Sequence, residues 1–343
     1  MLYISSRNKT DSFTAHRTLC DDNAPDGGLF IPYQLPRIEA ETLEAMAGKS
    51  FGENVAWVLN QFFSVKLSAW DVECCIGRTP ARIKQMNHRI LSAECFHNPQ
   101  NSYGYLVENL SRHLTQGKSG KATVWMKIAI RIAVLFSLYG LIPEGVRQNF
   151  DIAVPTGDFS DPMAAWYARQ MGLPIRKILC CCNENGATWD LLQRGEMNTG
   201  MPLVDTGMKE LDHACPSQIE RLIYHTLGME NALAFCAVCQ KKGVYHVEEE
   251  DFDKLADGFS AAVVGQVRIP ATVRSVYRSN QYLISPVTAV MFGGLQDFRA
   301  RSGESQYTLI LADDSPVCYA EQVSKACGIT VAELSKAISF VKE

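Results

Sequence analysis

The sequence predicts an α/β protein built on a parallel sheet, and three observations carry that expectation. Asp151 to Pro155 (DIAVP) reads as an apolar strand, TGDFSD as a loop, Pro162 to Met171 as a helix, and Ile175 to Cys182 as a second strand. A strand, a short Gly-containing loop, a helix and a strand form a βαβ unit, which places helices on the faces of a parallel sheet. The same alternation returns at Tyr307 to Ala312, a strand leading into a helix at Pro316 to Cys327. Finally, 343 residues at 47% hydrophobic and 20% charged suffice for one large domain or two ordinary ones, which excludes disorder and low complexity.

Each element has a local reason. In the helix after DIAVP, Asp161 is positioned as N-cap, Pro162 lies in the first turn and Gly172 is the terminator. Residues 5 to 92 read as loop then helices: NAPDGGLFIPYQLP is dense in turn formers, whereas ETLEAMAG and ENVAWVLNQFF have helical apolar spacing. Residues 93 to 122 are polar and read as a junction around one strand-like patch, Tyr105 to Val107, and Val124 to Tyr139 reads as a mostly buried helix. Further helices are expected at Pro216 to Leu227, Glu249 to Phe259 and Pro270 to Arg278. Thr330 and Glu333 form a capping-box pattern ahead of a last amphipathic helix.

Thirty-three Lys and Arg against 37 Asp and Glu leave a net charge of −4, so composition points to neither a nucleic-acid nor a membrane-surface partner. In the most apolar segment, 124–143, Lys127 and Arg131 leave about a dozen uncharged residues where a spanning helix needs about twenty. With no secretory pattern in MLYISSRNK, the expected location is the cytoplasm. Twelve cysteines in such a chain read as thiols. Cys180, Cys181 and Cys182 suit a buried strand, and Cys236 and Cys239 have C-x-x-C spacing within an apolar helical run. A zinc site would need His213, Cys215 or His225 to fold back onto that pair, and no metal is expected.

A loop between a strand end and a helix N-terminus, as at Gly157 to Asp161, reads equally as a phosphate site or as routine capping by Thr156, Asp158 and Asp161. Several separated blocks then resemble one family. YISSRN…FTAHRTLCDDNAPDGGLFIPYQLP is similar to the N-terminal signature of threonine synthases, a Ser-Thr-Arg-Gly start, Phe-x-x-Ala and DGGL-x-x-P. VPTGDFSDPMAAWYARQMGLPIRKILCCCNENG resembles their V-P-[ST]-G-N-F-G-D…MGLPI block, and NQYLISPVTAV…LILADDSPVCYAEQV resembles their P-H-x-A-V and T-A-H-P-A-K-F blocks. The order is preserved over most of residues 1–118 and 124–335.

The resemblance implies the tryptophan-synthase-β-like fold, a three-layer core around a parallel sheet, and pyridoxal-phosphate chemistry converting O-phosphohomoserine to threonine and phosphate. It places Lys118 at the Schiff-base position, with Ser111, Arg112, His113 and Gly117 replacing the usual flanking residues. It assigns the phosphate loop to Thr156, Gly157, Asp158, Phe159, Ser160 and Asp161, where Asp158 and Ser160 replace Asn and Gly. Asp313 and Ser315 stand for the Thr and His of T-A-H-P, and Val287 for the His of P-H-x-A-V. Lys118 and Val124 stand six positions apart where the family has a whole small lobe; a folded lobe needs on the order of fifty residues, so that lobe is missing. The expected organisation is a helical N-terminal part, 1–118, and an α/β core, 119–343.

The resulting expectation is a catalytically inactive family member or one repurposed for binding or interaction, with pyridoxal-phosphate binding lost. The alternative is a pyridoxal-phosphate-dependent lyase acting through Lys118 on O-phosphohomoserine or a related phosphorylated amino acid. A third reading is a thiol or metal site at Cys236 and Cys239. Losing a lobe should uncover apolar surface, so a homo-oligomer or a partner chain over the cleft is expected.

Overall fold

The structure is a computed structural model describing residues 1–76, 81–96, 102–117 and 121–339. The chain begins with β1 (Leu2–Ser5), β2 (Ser12–Thr14), α1 (Ala15–Cys20) and β3 (Phe30–Pro32). Helices α2 (Ala40–Ala47), α3 (Phe51–Phe62) and α4 (Ala69–Ile76) follow, then β4 (Arg82–Met86), β5 (Ile90–Glu94) and α5 (Tyr103–Leu114). The middle of the chain holds α6 (Val124–Tyr139), α7 (Glu144–Arg147), β6 (Phe150–Pro155), α8 (Ser160–Gln170), β7 (Ile175–Cys182), α9 (Ala187–Arg194) and β8 (Glu196–Asn198). The remainder is α10 (Ile219–Leu227), α11 (Met229–Lys241), β9 (Val244–His246), α12 (Glu249–Ala256), β10 (Phe259–Val263), α13 (Ile269–Asn280), α14 (Pro286–Ser302), β11 (Thr308–Ala312), α15 (Ala320–Cys327) and α16 (Val331–Ser339).

Six strands form the central sheet in the order β10-β7-β6-β11-β5-β4, parallel except for the edge strand β4. A layer built on α3, α6 and α8 covers one face, and α13, α14 and α15 cover the other. Strand β7 shows how the cysteines serve both layers. Cys180 packs with Val154 and Ile178 on one side, whereas Cys181 packs with Ala153 and Ala262 beneath α14 on the other. Burial raises both thiols well above their usual range, so they act as small apolar side chains.

Helix α6 is the keystone of its layer because nearly every side chain on it is buried. Thr123 caps it, accepting the Met126 N–H at 3.2 Å and donating to the Thr18 carbonyl at 2.7 Å. Trp125 meets the rings of Tyr3, Phe62 and Tyr167 edge-on, and its indole N–H donates to the Tyr3 hydroxyl at 3.0 Å. The small sheet β2-β1-β3 is thereby fastened to the core.

Several expectations need correction. The N-terminal part is not purely helical: it contributes β1 to β3, and β4 and β5 belong to the central sheet, which therefore crosses the 118/119 boundary. Charged edge residues (Arg82, Lys84) hid β4 from a search for apolar alternation. Tyr105 to Val107 lies within α5, whose residues Tyr103, Leu106, Val107, Leu110 and Leu114 bury one helical face. The helix begun at Glu249 ends at Ala256; Gly258, at φ +74°, turns the chain into β10. Asp161 is not the N-cap of α8, a position held by Phe159 at φ +74°. The capping box at Thr330 and Glu333 is present in both directions. Nine residues, 115–123, join α5 to α6.

Candidate functional site

A cavity of about 620 Å³ opens beyond the carboxyl ends of the neighbouring parallel strands β6 and β11, where α/β sheets commonly hold ligands. Its walls are residues 155–161 leading into α8, the Asp313–Asp314 turn after β11, the N-terminus of α5, the turn bearing Glu210 and His213, the first half of α6 with the residues just before it, and Val287 of α14. Backbone pairing holds two walls together, since the Tyr103 N–H donates to the Asp313 carbonyl at 2.7 Å and Ser102 forms a β-bridge with Asp314.

At the centre stands Arg131, only 2% exposed. Its Nε donates to Asp161 at 2.7 Å, and its two terminal nitrogens donate to Asp313 at 3.0 and 2.5 Å. The guanidinium carbon lies 3.5 Å from the centroid of the Tyr103 ring, so a cation–π contact covers its face. Asp161, read from the sequence as a helix cap, therefore serves as a counter-ion.

The loop before α8 carries its own anion. Asp158 Oδ1 accepts the Ser160 N–H at 2.9 Å and so occupies the first turn of the helix, where unpartnered N–H groups and the dipole attract negative charge. The positive φ values fall on Gly157 (+46°) and Phe159 (+74°) rather than on Ser160. The replacement of Gly by Ser at 160 is thus accommodated as an ordinary first-turn residue. A Cβ on Gly157 would lie 2.5 Å from the Glu210 carbonyl, so glycine lets the two loops touch. Gly157→Ala is expected to cost about 1–3 kcal/mol and to displace the Glu210 turn; chemical denaturation with amide exchange at 208–215 would measure both.

Among the described residues six carboxylates line the cavity (Glu108, Asp158, Asp161, Glu210, Asp313, Asp314), together with the basic side chains of Lys121, Lys127 and Arg131. Asp314 is 7% exposed and faces Asp313 and Glu210; burial, then those two charges, pushes its carboxyl up to about 7. These residues do not fit a phosphate dianion. The helix N-terminus already holds Asp158, and Arg131 is spent on two aspartates. At an effective dielectric near 20, each like-charge contact at 4 Å costs about 4 kcal/mol.

Of the residues assigned from sequence, Thr156, Gly157, Asp158, Ser160, Asp161 and Asp313 come together at the cavity, and Val287 also lines it. Thr156 donates to the Cys181 carbonyl at 3.3 Å. Phe159 is fully buried against Phe259, and Ser315 is buried as the cap of the turn at Pro316, accepting the Val317 N–H at 3.3 Å. Lys118 lies outside the described residues; Lys121, three positions on, lines the cavity. Sequence reasoning missed Arg131, Tyr103, Glu210, His213 and Asp314. The signal for Arg131 was available: an arginine in the middle of a buried helix must face a counter-charge. At the other proposed centre, Cys239 is met by Cys215 at 3.9 Å between sulfurs, whereas Cys236 is buried beside Glu220. No group of three or more metal-ligating side chains exists among the described residues, nor any helix long and apolar enough to cross a membrane.

Comparison with known proteins places this geometry in context. Residues 2–79 match the family model described as threonine synthase N terminus. Threonine synthase-like 1 of Homo sapiens is 29% identical over 179 residues, 50% of this chain, and the chain spans about a quarter (24%) of the length of that relative. Threonine synthase of Pseudomonas aeruginosa is 21% identical over an alignment covering 95% of this chain and 90% of the relative. Among solved structures, the pyridoxal-phosphate-bound threonine synthase of Brucella melitensis superposes with a TM-score of 0.84 at 18% identity, covering 96% of this chain and 92% of the other. The yeast threonine synthase also scores 0.84, at 16% identity, covering 98% and 94%. These structural likenesses establish the fold.

Proposed function

We propose, for a chain that belongs to the threonine synthase family, that the family's fold has been kept while its lyase chemistry has been given up, leaving a binding or interaction protein. The observation that carries this reading is the occupation of the anion cradle from within: Asp158 sits on the N-terminus of α8, and Arg131 is neutralised by Asp161 and Asp313. Pyridoxal phosphate is the cofactor of the family, and its phosphate is the group this lining repels. The nine-residue link between α5 and α6 supports the same reading, because it leaves no room for a lobe that would shield reactive chemistry from water. A second copy or a partner chain over the cleft belongs to the proposal.

The second reading, a lyase acting on O-phosphohomoserine or a related amino acid through Lys118, is favoured by one observation, the presence of Lys121 on the cavity wall. A titration separates the two. Purified protein mixed with pyridoxal phosphate is expected to show no visible band of lysine-bound cofactor and to release no phosphate from O-phosphohomoserine. A band that disappears in Lys118→Ala would establish the lyase reading instead. Asp158→Asn, which removes the competing carboxylate, is expected to tighten phosphate binding about tenfold or more, each tenfold being about 1.4 kcal/mol.

A further inference from the structure

We propose that Cys215 and Cys239 are a redox modification site: hydrogen peroxide joins them in a reversible disulfide that fastens the turn carrying Glu210 and His213 to α11. Their sulfurs lie 3.9 Å apart, and both residues are partly exposed, so a small oxidant can reach them. A disulfide needs about 2.05 Å, an approach within reach of side-chain rotation and a small shift of the irregular segment between β8 and α10. The C-x-x-C spacing alone would have paired Cys239 with Cys236. The helix instead turns Cys236 toward Glu220, which Arg7 holds at 2.8 Å, and leaves Cys239 facing Cys215.

The chemistry balances within the pair and the oxidant. The Cys215 thiolate attacks the terminal peroxide oxygen, the O–O bond breaks, and the departing hydroxide is protonated to water. Cys239 then attacks the resulting sulfenic sulfur, forming the S–S bond and expelling the hydroxyl as a second water with the Cys239 proton. Two thiols are oxidised by two electrons and the peroxide is reduced. The 3.9 Å contact lets either sulfur donate; with the Cys239 S–H as donor, the Cys215 thiol falls to about 7 and Cys239 rises, which makes Cys215 the attacking thiolate.

The bond would act on the cavity. Upstream, the turn is already held by Asp212, which accepts from Asn183 at 2.7 Å and from Thr206 at 2.6 Å. A covalent tie at Cys215 fixes its other end, so that His213, between Asp212 and Cys215, is held from both sides. This inference is independent of whether the cavity takes pyridoxal phosphate.

Reduced full-length protein is treated with dilute hydrogen peroxide, its remaining thiols are alkylated, and its peptides are read by mass spectrometry. The expected result is a Cys215–Cys239 linked peptide that dithiothreitol reverses, absent from Cys215→Ser and Cys239→Ser and retained in Cys236→Ser. Amide exchange across 208–215 should slow at least tenfold in the oxidised wild type, a readout that needs no variant. Sulfinic acid at Cys215 without a link, a Cys236–Cys239 link, or unchanged exchange in the linked protein would each overturn the proposal.

Discussion

Replacing Arg131 by methionine is expected to destabilise the protein by about 3–5 kcal/mol, the usual cost of removing one partner from a buried ionic cluster. The loss exceeds that of a surface ion pair because the carboxylates left behind are mostly shielded from water: the side chains of Asp161 and Asp313 are 25% and 16% exposed. Methionine keeps most of the volume against the Tyr103 ring, so the deficit reports charge rather than a void. It should shrink as acid protonates the abandoned aspartates. The triple variant Arg131→Met, Asp161→Asn, Asp313→Asn should recover most of the stability, a non-additivity that a mutant cycle measures directly. Arg112→Met, which breaks a pair about 60% exposed on both sides, should cause no measurable loss. Urea unfolding of the four proteins decides; equal losses for Arg131 and Arg112 would remove the central ion cluster from any account of this fold.

The second large effect is a pH dependence set by Asp314. Its folded value near 7 lies above the unfolded value of about 3.9, so the folded protein binds that proton more tightly. Stability from this group is complete below about pH 4 and drains as pH rises to 7. At about 1.4 kcal/mol per unit, the drain amounts to about 2–4 kcal/mol. Asp314→Asn cannot titrate, so it should match the parent near pH 4 and exceed it by that amount at pH 8. His225 pulls the other way. Burial, with the Arg221 charge adding to it, holds its ring down at about 3 while it pairs with the Tyr167 hydroxyl at 2.7 Å. Its folded value lies below the unfolded value of about 6.5, so stability falls with acid below that point. Between pH 4 and 6.5 the two slopes oppose in the parent, and in Asp314→Asn stability should climb with pH across the same window. Denaturation midpoints at a series of pH values test this; a constant offset between the two proteins would sink it.

The parts of the fold legible in the sequence are those where local chemistry and tertiary context agree. DIAVP and ILCCC are buried on both faces, as interior parallel strands must be, and the Pro and Gly around α8 punctuate it where a helix needs punctuation. Strand β4 was hidden because an edge strand carries charge, and α5 because its apolar stripe is diluted by Glu108, Arg112 and His113 on the outer face and by Ser111 on the buried one. The site was half legible. The loop 156–161 announces itself by position, but a carboxylate there can cap, bind or neutralise, and only the arrival of α6 beside it makes Asp161 a counter-ion. Arg131 was visible as a charge in an apolar run, yet its meaning required two acids, one 30 and one 182 residues downstream.

The placement of β11 has a consequence for how the molecule is made. This strand lies between β5 and β6, yet it is the last strand among the described residues, after 213 intervening residues in one case and 152 in the other. A nascent polypeptide leaving the ribosome therefore holds two unjoined half-sheets, each with an open hydrogen-bonding edge, until Ala312 has cleared the exit tunnel. During that interval the chain would be a natural client for chaperones, and truncations ending before Thr308 should accumulate as aggregates rather than as a smaller folded domain.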